Sequence, residues 1–277
     1  MKTSNNSLSS LLFGMGRNFP KPIRRILLKF YVFSLKQISR IKEIDKLSDL
    51  PQMLDSSRRS LRSGVQFDPY TIAKKYQLEI NSVCHVGAHK GQEISDYLRL
   101  GISSAVLIEP VHENYVVLQD ITSKIPKYEA VNMAIGNHEG LVKMILASND
   151  FQSSSILQPH LHLQEAPKVL FDRTIEIEIS TLDNILTDSR SLDLIVIDVQ
   201  GYELEVLKGA KRSLDRCNYI FIEVNRAETY QGCAMIKDID EFLYDHGFQR
   251  VLTKWWSSWG DAFYIREQLL PIRTTTK

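Results

Sequence analysis

The sequence predicts an α/β fold. It reads as a mostly parallel sheet with helices on both faces, an antiparallel hairpin at the C-terminal end, and a helical extension in front. Three observations carry this expectation. From about residue 66 onward, short apolar runs alternate with stretches of helical periodicity, the pattern of a parallel sheet covered on both sides. The run Val83-Cys84-His85-Val86 leads into Gly87-Ala88-His89-Lys90-Gly91, a strand feeding a glycine turn and then a helix. A second run, Ala105-Val106-Leu107-Ile108, ends in Glu109, 18 residues beyond Gly91.

The elements follow in order. Asp68-Pro69 is an N-cap followed by proline at the first helical position, so a helix is expected over 68–76. Strands are expected at 82–86, 105–109, 128–131, 193–198 and 218–224, where apolar residues run continuously as in strands buried on both faces. Helical spacing predicts helices over 91–100, 112–123, 202–214 and 235–247. Residues 248–253 and 261–266 lack an intervening helix and read as a hairpin through Trp255-Trp256-Ser257-Ser258-Trp259-Gly260. Those tryptophans suit either a platform for a sugar ring or packing within the hairpin.

Bulk properties bound the function. At 277 residues the chain holds one α/β domain plus an extension, or at most two small domains. A net charge of +1 argues against wholesale nucleic-acid binding. Cys84, Cys217 and Cys233 share no metal-type spacing and are expected to be reduced thiols, as in a cytoplasmic protein. No convincing secretory signal and no run of 18 apolar residues is expected to direct the chain elsewhere.

The domain boundary is placed near residue 65, giving a basic, helical extension over 1–65 and the main domain over 66–270. The first 16 or so residues, rich in Ser and Asn, are expected to be disordered. Between Arg17 and Lys42 there are eight basic residues and no acidic one. Apolar residues recur there at three- and four-residue steps, so the helix has either a membrane-surface role or an apolar face packed on the domain.

The chemistry is carried by strand ends. Gly87 and Gly91 let backbone approach a ligand, and Glu109 can accept hydrogen bonds from both ribose hydroxyls. Dinucleotide folds use G-x-G-x-x-G to seat a pyrophosphate, and the first glycine of that pattern is missing here. The spacing therefore suits an adenosine cofactor without a pyrophosphate, foremost S-adenosylmethionine. A nicotinamide-dependent oxidoreductase is the disfavoured alternative. Asp198 ends the apolar run Leu194-Ile195-Val196-Ile197, as general base, as anchor, or as the N-cap of the next helix. Glu223 and Asn225 end another strand and point to opposite faces. No spaced metal-ligand motif is present, so no metal is expected, although Asp198 and Glu223 together offer two carboxylates to a divalent cation.

The chain resembles the FkbM family of S-adenosylmethionine-dependent methyltransferases over roughly residues 80–268. The resemblance rests on Val86-Gly87-Ala88-His89-Lys90-Gly91, Ile108-Glu109-Pro110, Asn132-Met133-Ala134-Ile135-Gly136, Ser180-Thr181-Leu182-Asp183, Ile197-Asp198-Val199-Gln200-Gly201-Tyr202-Glu203 and Val206-Leu207-Lys208-Gly209-Ala210. It implies a class I methyltransferase (Rossmann-like) sheet of seven strands, one antiparallel. The implied activity is O-methylation of a hydroxyl on a sugar, glycan or other small polyhydroxylated or natural-product acceptor.

The resemblance matches Gly87, Ala88 and Gly91 to the cofactor loop, Glu109 with its neighbour Pro110 to the ribose ligand, and Ala134 to the adenine flank. Asp198 and Glu203 match the acidic positions of the family's most diagnostic stretch. His85, where the family often has aspartate, and Asp198 complete the cofactor-binding set. Gln200 stands where the family often has glutamate. Asp198, Glu203 and His160 are the catalytic candidates. The loop Phe151–Pro159 resembles a segment that covers the active site, and His160 or His162 behind it is available to take a hydroxyl proton. The opposing reading is a binding protein of the same fold that has lost catalysis and associates with membranes through residues 17–42.

Overall fold

The computed structural model describes residues 69–187 and 191–270. The expected extension over 1–65, including the basic stretch 17–42, lies outside the described residues.

The elements run α1 (Pro69–Tyr76), β1 (Ser82–Val86), α2 (Ile94–Leu100), β2 (Ser104–Ile108), α3 (His112–Thr122) and β3 (Tyr128–Val131). There follow β4 (Ala134–Ile135), β5 (Gly140–Leu146), α4 (His162–Glu165), β6 (Arg173–Ser180), α5 (Leu182–Ile185) and β7 (Leu194–Ile197). The chain continues through α6 (Glu203–Lys208), α7 (Lys211–Arg216), β8 (Tyr219–Asn225), α8 (Ile236–Asp245), β9 (Phe248–Trp255) and β10 (Trp259–Arg266).

Seven strands form one sheet in the order β3-β2-β1-β7-β8-β10-β9. β1, β2, β3, β7 and β8 pair in parallel, and β10 runs antiparallel to both β8 and β9. This is the class I methyltransferase sheet with its single antiparallel strand, as the sequence led us to expect. Successive side chains alternate between two apolar layers. Cys84, Val86, Ile195, Ile197, Ile220 and Ile222 join α6, α7 and α8 on one face. Val83, Leu107, Leu194 and Val196 join Ile94, Tyr97 and Leu118 on the other. Each fully buried Val, Leu or Ile contributes roughly 1.5–3 kcal/mol, which is why these strands carry unbroken apolar runs.

Three features depart from the expectation. A second sheet, β4-β6-β5, fills the interval for which the sequence reading offered no element. The helix expected over 202–214 is two helices, because Gly209 packs so closely on Gly136 that a Cβ would lie 1.9 Å from the Gly136 carbonyl oxygen. The helix expected from residue 91 begins only at Ile94. Among the described residues no helix is long and apolar enough to cross a membrane.

Candidate functional site

The strand registers place one row of residues across the carboxyl ends of the sheet. Val86 stands beside both Ile108 and Ile197, so the next residues, Glu109, Gly87 and Asp198, are neighbours. Ile197 stands beside Ile222, which brings Glu223 next to Asp198. Glu223 pairs with Asp261, and Asp261 with Lys254. The row Glu109–Gly87–Asp198–Glu223–Asp261–Lys254 crosses five strand spacings, roughly 24 Å at the usual separation. Above it lies a cleft of about 850 Å³ lined by every member of the row. A smaller cavity, about 500 Å³, opens around Ser104, Lys127 and Arg216 at the amino ends of the strands, away from this chemistry.

Gly87 is the one gap in the row. Its φ is +85°, and a Cβ there would lie 1.8 Å from the carbonyl oxygen of Asp198. The turn is pinned by Gly87 and Ala88, whose N–H groups both donate to Ile108 at 2.9 Å. Gly87 and His89 line the cleft, whereas Ala88 is fully buried in the core beneath it. Gly91 also faces away, since a Cβ there would meet Ile94 Cδ1 at 2.6 Å and Leu118 Cδ1 at 2.9 Å. Neither Ala88 nor Gly91 lines the cleft with a side chain: these two residues shape the turn and seat α2.

Glu109 is buried, and its carboxylate is fixed by two backbone donors. Oε2 accepts from His89 N and Oε1 from Val111 N, each at 2.9 Å. Burial raises its pKa, and these N–H groups oppose the rise. A carboxylate offers about four acceptor sites. Besides the two backbone bonds, Oε1 takes only a long one from Asn114 Nδ2 at 3.5 Å, so Oε2 keeps a free lone pair and Oε1 a weakly held one for a pair of vicinal hydroxyls. Pro110 and Ala134 line the same end of the cleft beside Met133, where an adenine would lie. These groups fit an adenosine. Asp198, the next acidic group along the row, is placed to face a cationic centre beyond it. The residues present thus fit S-adenosylmethionine.

Asp198 is open to the cleft, yet enclosure by its walls raises its pKa, with a Gln200 hydrogen bond acting the other way. Gln200 sits at φ 57°, left-handed for a non-glycine residue. Its Nε2 donates to Asp198 Oδ1 at 2.7 Å and to Glu223 Oε2 at 3.0 Å, so the amide occupies the space between the two carboxylates that a divalent cation would need. Tyr230 donates its hydroxyl to Gln200 Oε1 at 2.9 Å or to the Ser153 carbonyl at 3.0 Å. Burial, together with Asp198, Glu203 and Asp261, pushes Glu223 well above the ordinary carboxylate range. Burial and Asp198 push Asp261 up to about 8, against the pull of Lys254.

Two catalytic expectations are corrected. Glu203 does not line the cleft: it is buried beneath the turn, and its Oε1 accepts from Gly201 N at 2.9 Å and Val199 N at 3.2 Å. It holds the Asp198–Gly201 turn in shape. His160 is exposed, and its Nδ1 bonds to the Glu228 carbonyl oxygen at 3.0 Å outside the cleft. The loop brings His162 to the cleft wall instead, with Nε2 2.9 Å from Ser153 Oγ and with burial lowering its pKa.

The far end of the cleft is aromatic. Trp256 and Trp259 stack with ring centroids 5.0 Å apart, and Lys254 lies 4.9 Å from the Trp256 ring centre. At the opposite end, Lys90 pairs with Asp150 at 2.6 Å, and His89 Nε2 meets the Asp150 carbonyl oxygen, tying the covering loop to the glycine turn. Sequence reasoning missed Glu93, Tyr230, Lys254 and Asp261. For the last two a signal existed, because the hairpin register carries both to the row that Glu223 begins.

Residues 85–250 match the Methyltransferase FkbM domain family. The chain is similar to the 2-O-methyltransferase NoeI of Sinorhizobium fredii (strain NBRC 101917 / NGR234), 26% identical over 170 residues, covering 58% of this chain and 70% of that protein. Among solved structures it is similar to a SAM-dependent methyltransferase from Aquifex aeolicus, with a TM-score of 0.41, 14% identity and coverage of 72% and 90% of the two chains. It is also similar to the ribosomal protein L11 methylase of Lactobacillus delbrueckii subsp. bulgaricus, with a TM-score of 0.41, 12% identity and coverage of 72% and 77%.

Proposed function

The chain belongs to the FkbM methyltransferase family and uses S-adenosylmethionine; on that premise we propose that it methylates a hydroxyl oxygen of a sugar, glycan or similar polyhydroxylated acceptor. The observation that carries this reading is the continuation of the row past Asp198. Carboxylates at Glu223 and Asp261 lie beside the stacked Trp256–Trp259 pair on one wall of the cleft. An aromatic face covers the apolar face of a sugar ring, and carboxyl groups, protonated or ionised, exchange hydrogen bonds with its hydroxyls. The relative named a 2-O-methyltransferase supports transfer to oxygen.

When bound, S-adenosylmethionine supplies a methyl group on a sulfonium, the electrophile of an in-line displacement. Glu109 would hold the ribose hydroxyls at the β2 end of the row. Asp198, held by the Gln200 amide, would accept the proton that the acceptor hydroxyl gives up on methylation. Fixing both reactants in line supplies much of the rate. The covering loop, tied down by Lys90–Asp150, limits water at the reacting centre.

Asp198→Asn is expected to weaken S-adenosylmethionine by no more than a few-fold and to lower kcat by about 10²–10⁴-fold, the usual worth of general-base catalysis. In the wild type kcat falls as pH drops through the raised pKa of Asp198, because only the ionised form accepts a proton. The asparagine variant lacks that limb, and pH-rate profiles of both proteins check this. Trp256→Ala is expected to raise acceptor KM about tenfold with unchanged cofactor affinity, as measured in a steady-state assay. The function is tested by following S-adenosylhomocysteine release across mono- and oligosaccharides, phenols, amines and thiols. Turnover with carbohydrates is expected, and turnover confined to amines or thiols overturns the proposal.

A further inference from the structure

The row fixes which part of a bound S-adenosylmethionine lies where, and the following rests on that methyltransferase reading. With the ribose at Glu109, beyond the end of β2, the methionine end falls over β1 and β7, the next strands in the sheet. The cleft there is formed by His85, Gly87 and Asp198, with Glu93 at the N-cap of α2. The methionine end carries one carboxylate and one ammonium, so two opposite kinds of partner are required.

His85 is 4% exposed and lines the cleft. Its Nδ1 lies 2.9 Å from the hydroxyl of Tyr97, itself fully buried, and this is the one hydrogen bond that hydroxyl makes among the described residues. A buried phenol proton needs an acceptor. The arrangement that satisfies it has Tyr97 donating to Nδ1, which leaves the imidazole hydrogen on Nε2. Among the described residues nothing accepts that Nε2–H, and Nε2 is not one of the sealed-off unpartnered atoms, so it is reached from the cleft. Burial keeps the ring neutral, pushing its pKa down to about 3.

A neutral N–H donor does not bind an ammonium; it binds a carboxylate. The aspartate to which the resemblance assigns this position would present an acceptor, and His85 presents the reverse. The acceptor comes from the facing wall. Glu93 lines the cleft with no ion pair among the described residues, whereas Asp96 on the same helix is engaged by Arg99 at 2.7 Å. The Glu93 carboxylate bonds to its own backbone N–H, and burial, with Asp198 and Asp96 nearby, pushes its pKa up to about 7, a rise that a bound cation would relieve. We propose that His85 binds the carboxylate of the cofactor through Nε2–H, and that Glu93 binds its α-ammonium. His85 thereby selects a methyl donor that keeps its carboxylate.

The test is calorimetric titration of the full chain with S-adenosylmethionine and with decarboxylated S-adenosylmethionine, which keeps the ammonium and lacks the carboxylate. The wild type is expected to prefer the intact cofactor by about tenfold, the size of one hydrogen bond to a charged group. His85→Ala should weaken the intact cofactor by about that factor and leave the decarboxylated one unchanged. His85→Gln, which keeps an N–H donor, should restore most of the loss. Glu93→Gln should weaken both ligands. Melting curves identify any variant that fails to fold, and the wild-type preference is informative without any variant. Equal binding of the two ligands by the wild type, equal weakening of both by His85→Ala, or tighter binding of S-adenosylmethionine by His85→Asp overturns the proposal. Absence of S-adenosylmethionine binding by the wild type overturns the cofactor reading itself and this assignment with it.

Discussion

Gly87→Ala is expected to abolish measurable S-adenosylmethionine binding and to destabilise the domain by about 2–5 kcal/mol. Two independent costs combine. The backbone at φ +85° is left-handed, which costs an L-residue about 1–3 kcal/mol. The added methyl would also sit 1.8 Å from the Asp198 carbonyl oxygen, a backbone atom with no freedom to swing aside. Relief requires β1 and β7 to part at their carboxyl ends. Asp198 directly follows β7 and would move with it, and the bond from its N–H to the Val86 carbonyl of β1, 3.0 Å long, would be stretched. Denaturant unfolding and cofactor titration of the same sample check both halves. Gly101→Ala is the control, since a Cβ there meets nothing within 4 Å although its φ of +79° is equally left-handed. It should share the backbone cost and keep cofactor binding.

Glu109→Ala is expected to weaken S-adenosylmethionine by about 100-fold or more, because two hydrogen bonds to a charged acceptor are lost, each worth about 1.5–3 kcal/mol. The carboxylate is also structural. Without it the N–H groups of His89 and Val111 lose their acceptor, so melting temperature should fall as well. Glu109→Gln separates the two roles. It keeps the shape and one oxygen, but its NH₂ group faces a backbone N–H, so the amide preserves part of the stability and less of the affinity. Loss of affinity without any loss of stability in Glu109→Ala would contradict the hydrogen bonds seen to His89 and Val111.

Much of the fold was legible because the central strands are buried on both faces. A strand such as Leu194–Ile197 leaves no room for polar residues, so a carboxylate such as Asp198 marks where it ends. The same logic marked Glu109, whereas Glu223 lies inside Tyr219–Asn225 and faces the cleft from within the strand. The second sheet escaped because its strands are half-exposed. Arg173–Ser180 does alternate Ile-Glu-Ile-Glu-Ile, a period-two signal, but its partners come from another stretch of chain and cover one face. Ala88 and Gly91 were placed in the cofactor loop by motif. Within a tight turn only some residues face outward, and spacing does not say which. His160 and His162 flank a single residue, and one step in the loop decides which ring faces the cleft. Glu203 shows the limit of matching acidic positions, since two backbone N–H groups within the turn occupy the carboxylate.

Lys254 and Asp261 make the complementary point. Neither carries a motif, and both reach the row through the registry of a hairpin whose turn holds Trp256. The function of a strand-end row is a property of pairing, which a linear reading sees one strand at a time.

The most direct test is calorimetric titration of the full chain with S-adenosylmethionine, with Glu109→Ala alongside. Micromolar binding by the wild type, lost on removal of the one carboxylate, is the result expected from this row of strand ends. No heat of binding at millimolar cofactor, or equal binding by both proteins, would contradict it.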